Sequence, residues 1–158
     1  MLAIIVKKIT QVLIAIGATM LALMMFLTVL DVGLRYVFNR PLAGAFELVE
    51  YMMAILVPFS IVYCAHEKGH VAVDLIMGRF SKKVRTAAEI ITTFITLIFA
   101  IVIAWQNVQY FFEVKASGLT SSVLLIPAYP FIAPIAIAFG TFALVLLVHL
   151  SDFFSGGK

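Results

Sequence analysis

Charge is what this chain has least of: 12% of its 158 residues are charged, against 64% that are hydrophobic. A water-soluble domain of this size needs far more charge to cover its outside, so the apolar excess must meet lipid. The mean hydropathy of +1.16 agrees. A single cysteine, Cys64, excludes an internal disulfide framework and reads as a small buried filler. The few basic residues are not interleaved on a soluble face, as a nucleic-acid footprint requires. No G-x-x-x-x-G-K-[ST] loop is present, so nothing points to nucleotide hydrolysis.

What the chain has in abundance is long uncharged runs. The first, Ile9 to Leu30, lies between Lys8 and Asp31. At ~1.5 Å per residue it covers roughly 33 Å, enough for the hydrocarbon core. It is too long for the ~7–15-residue apolar region of a signal peptide and lacks a small-residue cleavage site, so a retained span is expected. The second run holds Pro58, which removes a backbone donor and should bend its helix. The third, Ile90 to Phe112, is bounded by Glu89 and Glu113. The fourth follows Pro127, Pro130 and Pro134, so its regular part is expected to begin near Pro130 or Pro134. Between the second and third, Leu75, Ile76, Phe80 and Val84 recur at helical spacing among Lys82, Lys83 and Arg85.

The expected fold is therefore an all-α integral membrane protein, one membrane domain over residues 1–158. It has four transmembrane helices, near 9–38, 43–66, 87–113 and 128–150, plus a short amphipathic interfacial helix over 71–85. The stretch from Val114 to Ile126, with Ser117, Gly118, Thr120, Ser121 and Ser122, reads as an irregular loop. Four spans put both termini on one side. Lys7, Lys8, Lys68, Arg79, Lys82, Lys83, Arg85 and Lys158 share that side, and Arg35, Arg40 and Lys115 the other. The positive-inside rule then places both termini in the cytoplasm. Tyr36, Phe38, Tyr110, Phe111, Phe112 and Tyr129 form an aromatic belt at the outer interface.

Charges near lipid are expensive, so each needs a reason. Asp31 and Arg35 stand four apart on one helical face, and Glu47 and Glu50 three apart near Arg40. They could form a local ion network, contact another subunit, or couple an ion. The last is disfavoured because none stands near mid-membrane. His66-Glu67-Lys68-Gly69-His70 matches H-E-x-x-H, in which two histidines hold zinc and the glutamate activates water. The context argues against an intramembrane metalloprotease. The motif needs an unbroken helix with Gly69 inside it, the segment stands at the membrane edge, and Asp74 is the only near candidate for a third ligand. Small residues form stripes at Ala15, Ala18 and Ala22, and at Ala136, Gly140 and Ala143, serving internal packing or a partner.

The stretch DVGLRYVFNRPLAGAFELVEY, followed by HVAVDL and by GLTSSVLLIPAYPFIAP, resembles the small membrane subunit of tripartite ATP-independent periplasmic (TRAP) transporters, the DctQ-like family. The pattern falls on Asp31, Arg35, Pro41, Glu47, His70, Asp74, Gly118 and Pro127, and the similarity runs from about Lys8 to Leu150. The resemblance implies an auxiliary scaffold without cofactors, in the inner membrane of a bacterium. Its partners would be a large multi-span membrane subunit and a periplasmic substrate-binding protein, in sodium-driven uptake of an organic acid. Asp31, Arg35, Arg40, Glu47, Glu50, His70, Asp74, Gly118, Ser122 and Pro127 are the expected contact residues. A self-sufficient oligomeric exporter or channel is the alternative. It would need an ionisable residue deep in a span, and the run from Ile9 to Leu30 offers none.

Overall fold

The computed structural model describes residues 2–67 and 82–154. Four helices account for nearly all of them: α1, Leu2–Phe38; α2, Ala45–His66; α3, Lys82–Ser117; and α4, Tyr129–Phe154. Each is long and apolar enough to cross a membrane. In a bilayer the helix is the natural outcome for such runs, because it satisfies every interior N–H and C=O within one segment.

The core shows how the helices alternate. Val6 and Leu13 near the start of α1 share one cluster with Phe59, Val62 and Ala65 near the end of α2. Leu97 and Ala100, midway along α3, and Ala138 to Leu146, midway along α4, complete it, while Phe111 near the end of α3 meets Tyr129 at the start of α4. Successive helices therefore run antiparallel. One end of the bundle carries the start of α1 and the end of α4, and the other carries residues 39–44 and 118–128, here called the loop end.

Within the bundle, α2 and α4 are central. Helix α1 packs chiefly on α2, and α3 chiefly on α4. The two flanking helices accordingly bury one narrow seam each. On α1, Met20, Met24, Leu27, Asp31 and Leu34 are half-buried at three- and four-residue spacing, while Met25, Phe26, Val29 and Val32 are exposed. On α3 the seam runs through Leu97, Ala100, Asn107, Phe111 and Val114, leaving Phe99, Val102 and Trp105 outside. Lipid solvates such faces as readily as a protein core would.

Several expectations are refined. Helix α4 starts at Tyr129, so Pro130 falls in its first turn, where a missing N–H costs nothing. Pro58 lies inside α2 and is buried. The expected interfacial helix over 71–85 lies outside the described residues as far as 81, and from Lys82 the chain already belongs to α3. Cys64, expected as a buried filler, is exposed. Its neighbours Val62 and Ala65 take the buried positions of that turn, so the helical phase points Cys64 outward. The small-residue stripes divide: Ala15, Ala18 and Ala22 are exposed, whereas Ala143 is buried and Ala136 and Gly140 are half-buried.

Ala138 is fully buried and Ala18 exposed, so the same enlargement should have opposite consequences. Ala138→Leu should destabilise the detergent-solubilised protein by about 1–3 kcal/mol through overpacking. Ala18→Leu should stay within about 0.5 kcal/mol. Thermal unfolding followed by tryptophan fluorescence measures both, and equal effects would refute this assignment of the core.

Candidate functional site

The polar residues that the sequence places at helix ends gather at the loop end, and two carboxylates organise it. The first is Asp31, on the half-buried seam of α1. Its Oδ2 accepts a hydrogen bond from Arg35 Nη2 at 2.8 Å, one turn along the helix. Its Oδ1 accepts from the backbone N–H of Leu42 at 2.7 Å. That second bond draws the connection back onto the helix it has just left. Helix α1 ends where Asn39 takes a left-handed conformation at φ 53°. The Arg40 N–H reaches the Leu34 carbonyl at 3.4 Å. The connection then delivers Gly44, at φ 78°, to the start of α2.

The second carboxylate is Glu47, in the first turn of α2. It bonds backbone rather than a cation. Oε1 accepts from the Val123 N–H at 2.7 Å, and Oε2 accepts from the Leu124 N–H at 3.0 Å. Ser121 and Ser122 also face this carboxylate. The expected ion network among Asp31, Arg35, Arg40, Glu47 and Glu50 is thus only partly realised. Asp31 pairs with Arg35, Glu47 turns to the second loop, and Arg40 and Glu50 are exposed.

That second loop is more ordered than its serines and glycine suggested. Ser121 N–H donates to the Ile126 carbonyl at 2.9 Å, and Ala128 N–H donates to the Leu119 carbonyl at 3.0 Å. Ile126 N–H donates to the Ser121 hydroxyl at 3.2 Å. Thr120 and Pro127 form an antiparallel bridge. The segment expected to be irregular is therefore a small hairpin. Gly118, at φ 65°, leads into it from α3, and Leu125, at φ 54°, turns near its tip.

Packing seats the hairpin on α2. A Cβ at Gly44 would run into the side chain of Leu124, so glycine is needed there both for its left-handed backbone and for the close approach. One turn beyond Glu47 on the same face, Tyr51 stacks on Phe131 of α4, ring centroids 4.1 Å apart. Phe111 of α3 meets Tyr129 edge-on at 5.9 Å. Phe46, Val123 and Leu125 stay exposed around the seat, as do Ser122 and Pro127. The arrangement can hold a shaped surface at the membrane boundary.

His66 closes α2 and is half-buried, whereas His70 and Asp74 lie outside the described residues. Among the described residues no group of three or more His, Cys, Asp or Glu side chains could hold a metal ion.

The two carboxylates predict a graded response. At Asp31 the bond to the Leu42 amide should outweigh the exposed pair with Arg35. Asp31→Ala should therefore cost about 1.5–3 kcal/mol, and Arg35→Ala only about 0.3–0.5 kcal/mol. Asp31→Asn should fall between, since an amide oxygen can still accept from Leu42. At Glu47, alanine should lower the unfolding midpoint more than glutamine, which keeps one acceptor. Equal losses for Asp31→Ala and Arg35→Ala in thermal unfolding would show that the ion pair, not the amide clamp, matters.

Comparison with known proteins bears on what such a bundle does. Residues 24–156 match the family model described as tripartite ATP-independent periplasmic transporters, DctQ component. A Haemophilus influenzae protein, provisionally named a TRAP transporter small permease protein, is 26% identical over 138 residues, covering 84% of this chain and 80% of that one. The matched region takes in both carboxylates, the hairpin and all of α2, α3 and α4. The chain belongs to the DctQ family, the small membrane component of tripartite ATP-independent periplasmic transporters.

Proposed function

We propose that this chain is the scaffold subunit of a TRAP transporter in a bacterial inner membrane, with both termini in the cytoplasm. It supports a large membrane subunit and uses its loop end to help receive a periplasmic substrate-binding protein. The transport served is sodium-driven uptake of an organic acid, with substrate and ion held by the other components.

The observation that carries the reading is the use made of the two outer-end carboxylates. An ion-coupling acid is kept available inside the membrane. Asp31 and Glu47 instead give three of their four oxygens to backbone amides of the two loops, and the fourth to Arg35. Such acids shape a surface. The bundle interior is filled with the small and branched side chains of Val62, Ala100, Ala138 and Val145. A binding site in a transporter is instead expected where helices are broken near the midplane.

Arg40 suits a contact role better than Glu47. It is exposed and stands between the clamp residues, so its charge can be reversed without cutting either clamp. Arg40→Glu should leave co-purification with the large subunit intact and lower substrate uptake several-fold in cells expressing all three components. Uptake at the unmodified rate would remove Arg40 from the docking surface. A chain that reconstitutes alone into liposomes and transports a carboxylate would overturn the accessory role itself.

A further inference from the structure

We propose that the outward face of α3 in its loop-end half, marked by Gln106, Gln109 and Glu113, is where a transmembrane helix of the large membrane subunit packs. The inference rests on the scaffold reading above and names its contact face. The three residues stand three and four apart on one side of the helix, and all are exposed. That side looks away from the seam of Leu97, Ala100, Phe111 and Val114. Gln106 lies about 10 Å along the helix from Glu113, inside the hydrocarbon.

Acyl chains offer an amide no partner, so a span either satisfies its polar groups itself or shares them with another helix. Other polar side chains of these spans are satisfied locally. Thr19, Thr28 and Thr96 each donate to the carbonyl four residues back, and Asn107 donates to that of Ile103 at 2.8 Å. Gln106 and Gln109 form no hydrogen bond among the described residues. Gln11 is exposed as well, but it stands three residues from Lys8, within reach of the headgroups. Glu113 forms no ion pair among the described residues, and no Lys or Arg lies three or four positions from it. The occupant that suits this face brings hydrogen-bonding side chains at the depth of the two glutamines and a cation at the level of Glu113. A second copy does not: two chains inserted the same way around a two-fold axis would set Glu113 against Glu113. A helix of a different chain can meet both demands.

Binding of the full chain to the large subunit of its own transporter, measured in lipid nanodiscs, tests the face. Gln106→Leu combined with Gln109→Leu keeps side-chain size and removes the hydrogen bonds. It should weaken association about tenfold, while the unfolding midpoint of the chain alone stays equal or rises. Glu113→Lys should weaken association too. Thr19→Val combined with Thr28→Val, on the outward side of α1, should leave it unchanged. A photocrosslinking benzoylphenylalanine placed at Val102, exposed one turn from Gln106, should capture the large subunit. Undiminished association of the double leucine variant would overturn the proposal, as would capture of a second copy or of lipid alone. Failure of the unmodified chain to bind the large subunit would instead overturn the scaffold reading on which it rests.

Discussion

Backbone amides at the edge of a membrane have little water to turn to, and the loops of this protein are built around that shortage. A helix satisfies its own interior groups, but a connection between helices cannot. Here two carboxylates supply the missing acceptors: Asp31 for Leu42, and Glu47 for Val123 and Leu124. Each also solves its own problem, because a carboxylate near lipid is tolerable only when hydrogen-bonded or paired. The same bonds that quiet the acids fix the loops. Gly44 and Leu124 then pack, Tyr51 and Phe131 stack a turn further in, and α2 becomes the post on which the hairpin sits.

How far this was legible in the sequence depends on how local each feature is. The four helices were, since a bilayer demands about 20 apolar residues in a row and the runs supply them. The pairing of Asp31 with Arg35 was open to view because both lie on one helix four residues apart. The role of Glu47 was not. Its partners are backbone N–H groups 76 and 77 residues away, which no side-chain pattern announces. Gly118 and Pro127, bracketing the serines, were the available hint of a closed turn. The serines alone suggested an irregular loop.

Helical phase was the other thing composition could not supply. In a helix apolar all round, burial cannot be read from which residues are hydrophobic. Cys64 was misplaced for that reason, and the stripes at Ala15, Ala18 and Ala22 and at Ala136, Gly140 and Ala143 looked equivalent, although one faces outward and the other inward. Only the tertiary arrangement, with α1 and α3 each backed on one side, separates them.

The placement of charge also explains how helices of unequal length share one bilayer. Helices α1 and α3 have 37 and 36 residues, against 22 in α2. Measured between ionisable residues, the spans are far more alike. Lys8 to Asp31 rises about 35 Å, Glu47 to Glu67 about 30 Å, and Glu89 to Glu113 about 36 Å. These lengths match a hydrocarbon core of about 30 Å with modest tilt. The extra turns of α1 and α3 therefore lie beyond the core, and at the loop end those of α1 carry Tyr36 and Phe38 into the interface, where aromatic rings are favoured. The overhang of α1 reaches past Asp31, and the Asp31–Leu42 bond brings the connection back to the level of that carboxylate. A bundle trimmed to its apolar runs would still span the membrane, but it would lose the aromatic turn after Asp31 that suits the interface.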